Sequence, residues 1–192
     1  MIVVAILAMA MSLFVGRFTN NSRELRSMVY GFKNLSRQIQ YTAKLKNSTY
    51  RLVVDMGDER ARAEDRVYQY WLEVSTKKGL ITSDRQEENE SPSAFEDDEP
   101  PPKDFVIDKK LVKEKRELPD GVKFSGVYIK GFEDTVRVGK VYIYFTPQGL
   151  VDEAVIYIDA GEKRQWTLAT HPLTGRIDIF SGELSPKELS QQ

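Results

Sequence analysis

The chain has 192 residues, with 28 Lys+Arg against 29 Asp+Glu, one His and no Cys. These values fit one globular domain with accessory segments, and they exclude collagen, a coiled-coil rod, a disulfide scaffold and cysteine nucleophiles. The formal net charge of −1 predicts no overall attraction to nucleic acid or to anionic lipid. The charges are unevenly distributed along the chain, so the separate segments are informative.

The amino-terminal segment, residues 1–16, is apolar apart from Ser12 and ends at Gly16. Because a helix rises about 1.5 Å per residue and a spanning helix needs about 20 residues, the apolar run of residues 1–15 is about five residues short of a full span. We predict a transmembrane or filament-core helix here. Its apolar side chains are Ile2, Val3, Val4, Ile6, Leu7, Leu13, Phe14 and Val15. A cleaved signal peptide and a buried core helix are the alternatives, although no basic residue precedes Ile2 and the segment is apolar on every side.

Residues 17–47 are predicted to continue this helix in amphipathic form, because apolar residues recur at steps of three and four. The stripe that we expect to pack against the rest of the chain consists of Leu25, Met28, Val29, Phe32, Leu35 and Ile39. The other positions are mostly polar, and residues 17–46 contain seven basic residues and one acidic residue. Asn47, Ser48 and Thr49 have low helix propensity, so the helix is expected to end near Asn47.

Residues 48–192 are predicted to form a β-rich globular domain. Runs rich in Val, Ile and Tyr predict strands over residues 49–56, 67–75, 122–129, 136–145, 152–159, 163–170 and 176–180. Predicted turns at residues 159–162 and 171–175, and a break at Pro147 and Gly149, favour an antiparallel meander. The predicted fold class is therefore α+β, in which a long N-terminal helix, membrane-spanning at first and then amphipathic, packs on an antiparallel β-sheet domain.

A flexible acidic and proline-rich insert is predicted within this domain at about residues 77–117. Residues 84–104 hold nine acidic and two basic side chains and three consecutive prolines, a composition that cannot bury a core. An acidic arm that binds a basic partner or Ca²⁺ is the alternative, although the spacing of an EF-hand loop is missing. The basic residues from Lys109 to Arg116 are interspersed with acidic ones, so nucleic acid is not an expected partner.

The sequence contains few of the residues and motifs that are typical of enzymes. It contains no P-loop, dinucleotide fingerprint, G-x-S-x-G or H-E-x-x-H motif, and His171 is its only histidine. Asp55, Asp58 and Glu59 surround Gly57, but acidic residues at a strand end are usually turn formers. We therefore predict no enzymatic activity, no cofactor and no metal site.

The order of these segments resembles the type IV pilins and the type II secretion pseudopilins. In that family the mature chain begins Phe-Thr-Leu-x-Glu, followed by an apolar stretch similar to the one from Met1 to Leu7. The resemblance implies that Met1 falls just after this Glu, so that a short leader and five mature residues precede the recorded start. Downstream, residues 118–122, 145–149 and 174–177 resemble turns of the H-type minor pseudopilins and related minor pilins, and residues 50–55 resemble their first strand.

This resemblance implies a minor pseudopilin subunit of a type II secretion pseudopilus, which assembles through its N-terminal helix and acts in protein secretion. A minor pilin of a type IV pilus and a signal-anchored periplasmic binding domain are the alternatives. The implied partners are other pseudopilin or pilin subunits, the inner-membrane assembly platform and, where the full leader exists, prepilin peptidase. The implied location is the inner membrane, with a single membrane pass and the C-terminal domain in the periplasm.

Overall fold

The computed structural model describes residues 25–58, 60–62, 66–78, 104–161 and 164–189. Helix α1 covers residues 25–46 of this part, and a short helix α2 (Pro186–Leu189) lies near its end. The strands are β1 (Ser48–Asp55), β2 (Gln69–Lys78), β3 (Phe105–Ile107), β4 (Arg116–Glu117), β5 (Lys123–Ile129), β6 (Lys140–Phe145), β7 (Ala154–Asp159), β8 (Gln165–Thr170) and β9 (Ile177–Ser181).

Helix α1 has one buried stripe, as its three- and four-residue spacing predicts. It ends where the low helix propensity of the following residues predicts, because Asn47 adopts a positive φ of 48°. Asparagine tolerates this left-handed conformation better than most residues do. The chain therefore turns out of the helix at Asn47 and enters β1 directly.

The first sheet has the strand order β3-β2-β1-β6, and β4 also pairs with β2. The pairings of its strands are antiparallel, and β1 lies between β2 and β6. Leu52 lies opposite Leu72 and Ile143, whereas Arg51 lies opposite Glu73 and Tyr144. Because side chains alternate across a strand, these two groups face opposite sides of the sheet.

The second sheet has the strand order β5-β7-β8-β9, and its pairings are also antiparallel. Strand β7 is buried on both faces, as its apolar residues in both alternating positions predict. Gly161 (φ 67°) and Gly175 (φ 60°) lie in the turns that join β7 to β8 and β8 to β9. Only glycine enters this region of φ without a steric cost, so these glycines let the strands reverse direction.

Helix α1 and both sheets share one hydrophobic cluster. Phe32 illustrates this arrangement, because its ring centroid lies 4.5 Å from that of Tyr70 in β2 and 6.3 Å from that of Phe124 in β5. A single helical side chain thus contacts a strand of each sheet. The helix therefore lies over the region where the two sheets meet.

The predicted fold class is wrong. The described residues are mostly antiparallel β-sheet with one long helix, and not an α+β pilin-like fold built on a membrane-spanning helix. Part of the difference comes from the predicted insert, where Phe105–Ile107 and Arg116–Glu117 pair with β2 and extend the first sheet. Such strands of three and two residues are too short to produce a recognisable alternation in the sequence.

The predicted location, a single-pass inner-membrane protein with a periplasmic C-terminal domain, is also contradicted. Within residues 25–58, 60–62, 66–78, 104–161 and 164–189, no helix has both the length and the apolar character that crossing a bilayer requires. Helix α1 carries five basic residues between positions 25 and 46, and charged residues are costly in hydrocarbon. Residues 1–16, on which the prediction was based, lie outside the described residues.

Candidate interaction surface on helix α1

The buried face of α1 contains the residues that the sequence predicts to pack against the domain. Leu25, Val29, Phe32 and Ile39 are buried, and Met28 and Leu35 are partly buried against the same cluster. All of the membrane or filament residues predicted between Ile2 and Val15 lie outside the described residues.

Two polar side chains on this face fasten α1 to turns of the β domain. Ser36 Oγ donates a hydrogen bond of 2.7 Å to the Gly175 carbonyl oxygen. Gln40 Nε2 donates hydrogen bonds to the carbonyl oxygens of Gly149, at 2.7 Å, and Leu173, at 3.0 Å. Because Ser36 and Gln40 are themselves buried, these bonds satisfy polar groups that would otherwise lose water without compensation.

One flank of α1, beside its buried face, carries a row of cations, which we call the basic row: Arg26, Lys33, Arg37 and Lys44. Lys33 is half-buried, and the side chain of Lys44 lies over Gly149 of the β domain. The spacings of seven, four and seven residues place these side chains along one line of the helix, about 27 Å long. Residues 25–46 contain no Asp or Glu that could neutralise the row from within the helix. No other described residue forms an ion pair or a hydrogen bond with any of the four charged groups.

Large apolar side chains lie beside the basic row. Tyr30 is 57% exposed, Tyr41 is 66% exposed and Leu45 is 71% exposed. Tyrosine is enriched in protein interfaces because its ring and its hydroxyl group can contact a partner at the same time. The exposed side of α1 thus combines positive charge with uncovered aromatic area.

The carboxyl end of α1 is tied to the first sheet by a separate polar group. Lys46 Nζ donates a 2.9 Å hydrogen bond to the Tyr50 hydroxyl, which donates a 3.0 Å hydrogen bond to Asp108 Oδ2. The bond to Tyr50 raises the pKa of Lys46, and burial raises the pKa of Tyr50. A tyrosine that acts as a base at neutral pH needs a lowered pKa, so this group has the properties of a structural contact.

A second polar network lies on the face of the first sheet that points away from α1. Arg51 is 1% exposed, and its Nε donates a 2.7 Å hydrogen bond to Glu73 Oε2. Trp71 Nε1 donates a bond of the same length to Glu73 Oε1. Both carboxylate oxygens of Glu73 are therefore engaged.

Aromatic rings surround the charge of Arg51. Its Cζ lies 4.0 Å from the ring centroid of Phe105 and 4.2 Å from that of Tyr142. Its Nη1 donates a 3.3 Å hydrogen bond to the Tyr144 hydroxyl. The network surrounds a buried cation with an opposite charge and the negative faces of two rings, so neither charge of the pair is buried without a partner.

The sequence patterns did not lead to a prediction of the basic row or of the Arg51 network. The spacing of the row along a predicted helix was a usable signal. The only sequence signal for the network is that Arg51 and Glu73 are charged residues within predicted strands. Their pairing itself depends on the register between β1 and β2.

The described residues give little support to metal or acid–base chemistry. No group of three His, Asp or Glu side chains among them is placed to hold a metal ion. Asp55 instead accepts hydrogen bonds from Gly57 N and Gln69 Nε2, and His171 is exposed in the turn before β9.

No protein-family model matches the chain, and neither does any curated protein or any solved structure. The resemblance to pseudopilins therefore depends on the residues quoted for it.

Proposed function

We propose that the chain is a minor pseudopilin subunit of a type II secretion pseudopilus and acts in protein secretion. The observation that carries the proposal is the two-sided character of α1. One side packs into the β domain through residues such as Phe32, and the rest of the helix surface exposes Arg26, Arg37, Tyr30 and Tyr41. A helix that belongs to the domain on one side and is uncovered on the other is suited to connecting subunits.

The segment before α1 supports the same proposal. Residues 1–15, which lie outside the described residues, are almost entirely apolar, and apolar segments of neighbouring subunits can pack against one another. Other pseudopilin subunits and the assembly platform are the proposed partners.

Deletion of the gene tests this function. We expect the deletion strain to lose a set of proteins from the culture medium and to recover them when the wild-type gene is supplied. The proteins can be measured by mass spectrometry of the medium. An unchanged set of exported proteins contradicts the proposal, and a loss of surface pili with normal export favours the minor pilin of a type IV pilus.

A further inference from the structure

We propose that the open edge of β3, together with the loop that follows it, binds an extended acidic segment of a partner protein. This loop, residues 108–115, joins β3 to β4, and we call it the basic loop because it contains Lys109, Lys110, Lys113 and Lys115. The inference goes beyond the proposed function, because β3 lies at an edge of the first sheet and not on α1.

The register of β3 against β2 leaves backbone groups of β3 without a partner. Asp108 N donates a 2.9 Å hydrogen bond to the Leu72 carbonyl oxygen. Because hydrogen-bonded residues alternate along an antiparallel strand, the N–H and C=O groups of Phe105 and Ile107 point away from β2. Within the described ranges of the chain, no residue forms a hydrogen bond with these outward groups.

Two other sheet edges are covered by the chain itself. At β5, Val127 exchanges backbone hydrogen bonds of 2.8 Å and 2.9 Å with Val136. At β6, Asp152 Oδ2 accepts a 2.8 Å hydrogen bond from Tyr144 N, and Asp152 N donates a 3.0 Å bond to the Tyr144 carbonyl oxygen. Folded proteins cover their edges in such ways because an open edge can pair with another chain. The β3 edge lacks a comparable cover among the described residues, so it can accept an added strand.

The side chains of β3 favour a polypeptide as the occupant of this edge. Val106 is 50% exposed and Ile107 is 40% exposed. Because neighbouring residues of a strand point to opposite faces, an added strand would contact both of these aliphatic side chains. An added strand also supplies the alternating N–H and C=O groups that the open edge can bind, whereas a phosphate backbone or a lipid headgroup supplies no such ladder.

The charges that follow β3 favour an acidic partner. Lys109, Lys110 and Lys113 are exposed, and none of them forms an ion pair with a residue in the described part of the chain. Asp108, which precedes them, is 6% exposed, and its carboxylate accepts hydrogen bonds from the Tyr50 hydroxyl and from Lys110 N. The three ammonium groups can therefore pair with carboxylates of another molecule.

The basic loop is held in place along its length. Val112 is 2% exposed and belongs to the main hydrophobic cluster. Lys115 Nζ lies 4.4 Å from the ring centroid of Trp71. Just beyond the loop, Leu118 N donates a 2.9 Å hydrogen bond to the Tyr68 carbonyl oxygen. A loop that is fixed in this way loses little conformational freedom when it binds a partner, so its cations are preorganised.

Fluorescence anisotropy of a labelled peptide tests the inference. The probe is a short peptide of alternating Glu and Val, and the protein is the full chain in a mild detergent. We expect the peptide to bind with a Kd of about 100 µM or lower. The same peptide with all of its backbone amides N-methylated keeps its charges but cannot donate backbone hydrogen bonds, so we expect it to bind at least about fivefold more weakly.

Two pairs of variants separate the contribution of the edge from that of the charges. Ile107→Pro removes the outward N–H without removing a bond to β2 and should weaken binding about fivefold or more, whereas Ile107→Ala keeps the N–H and should weaken it only about twofold. Lys109→Gln combined with Lys110→Gln should weaken binding about tenfold. The matched control, Lys123→Gln combined with Lys130→Gln at the two ends of β5, should leave binding within about twofold of the wild type. Circular dichroism checks that each variant is folded.

Four results overturn the inference. The first is that the Glu and Val peptide does not bind to the folded chain. The second is that the N-methylated peptide binds as tightly as the unmodified one, which assigns binding to charge alone. The third is that the changes at Lys109 and Lys110 have no larger effect than the control changes. The fourth is that a single-stranded oligonucleotide displaces the probe at a lower concentration than unlabelled peptide does, which assigns the surface to nucleic acid. Peptide binding combined with an unchanged set of exported proteins in the deletion strain supports this inference and contradicts only the proposed function.

Discussion

The two faces of the first sheet are both buried, but they are packed with different kinds of side chain. The face toward α1 is almost entirely apolar, with Leu52, Leu72 and Ile143 meeting across three strands. The opposite face encloses the ion pair of Arg51 and Glu73 among aromatic rings. Both faces are closed to solvent, since Leu52 is 2% exposed and Arg51 is 1% exposed.

The difference shows that burial alone does not determine tolerance to substitution. Dispersion and the hydrophobic effect are non-directional, so the face toward α1 accepts changes that preserve volume. A buried charge requires a partner at a defined distance and angle, so the opposite face depends on the register of the strands. The predictions below test this contrast in order of decreasing effect.

Glu73→Ala should give the largest loss of stability. It leaves the Arg51 guanidinium buried without its opposite charge, which we expect to lower the free energy of unfolding by about 3–5 kcal/mol. Urea denaturation measures the change. The control is the double variant Arg51→Met with Glu73→Gln, which removes both charges and keeps an acceptor for Trp71, and it should cost clearly less. A double variant as unstable as Glu73→Ala would contradict the assignment of the cost to an unpaired charge.

Leu52→Ala on the face toward α1 should cost about 2–5 kcal/mol through lost burial and the cavity left behind. The two faces should differ most in their response to conservative changes. Leu52→Met is expected to cost less than about 1.5 kcal/mol. Arg51→Lys should cost more than Leu52→Met does, because an ammonium group cannot reproduce the stacking of the planar guanidinium between two rings. Equal costs for these two conservative changes would remove the contrast between the faces.

Gln40→Leu tests whether loss of a polar contact made by α1 lowers stability as much as disruption of the Arg51 network does. The change leaves the carbonyl oxygens of Gly149 and Leu173 without their donor, so we expect a loss of about 1–3 kcal/mol. Gln38→Leu, at an exposed position of the same helix, is the control and should change stability by less than about 0.5 kcal/mol. Thermal unfolding of the two variants provides the comparison, and equal effects would rule out the proposed role of Gln40.

Alkaline pH should weaken the face toward α1, because the phenols of Tyr50 and Tyr70 lie among its apolar side chains. Burial raises the pKa of both groups, and the hydrogen bond to Tyr50 raises the pKa of Lys46. A raised pKa in the folded state contributes stability that is fully present below the unfolded value of about 10 and is lost as pH rises through the folded value. We expect the free energy of unfolding to fall between about pH 10 and pH 12, and to fall less steeply in Tyr50→Phe. Denaturation midpoints that stay constant over this range would contradict the prediction.

Local spacing was enough to predict much of the secondary structure. The stripe through Val29, Phe32 and Ile39 predicted α1 and its buried face, and the low propensity of Asn47 predicted its end. Predicted strands overlap β1, β2 and β5 to β9, because each of these has enough β-branched and aromatic residues to be recognised.

The arrangement of these elements could not be predicted in the same way. Which strands share a sheet depends on contacts between distant residues, and β3 and β4 are visible only through their pairing with β2. The Arg51 network depends on the register of β1 against β2, because a shift by one residue would place Arg51 opposite an apolar side chain. The membrane-spanning part of the predicted fold and the location were predicted from residues 1–16, which lie outside the described residues.

The hydrogen bonds from α1 to the turns also have a kinetic consequence. Ser36 is separated from Gly175 by 139 positions in sequence, and Gln40 from Gly149 by 109. A ribosome that adds about 5–20 residues per second needs about 7–28 seconds to synthesise the stretch from Ser36 to Gly175. During that interval the apolar stripe of the nascent helix has no turn to dock against, so it stays exposed to other chains and to chaperones for longer when elongation is slower.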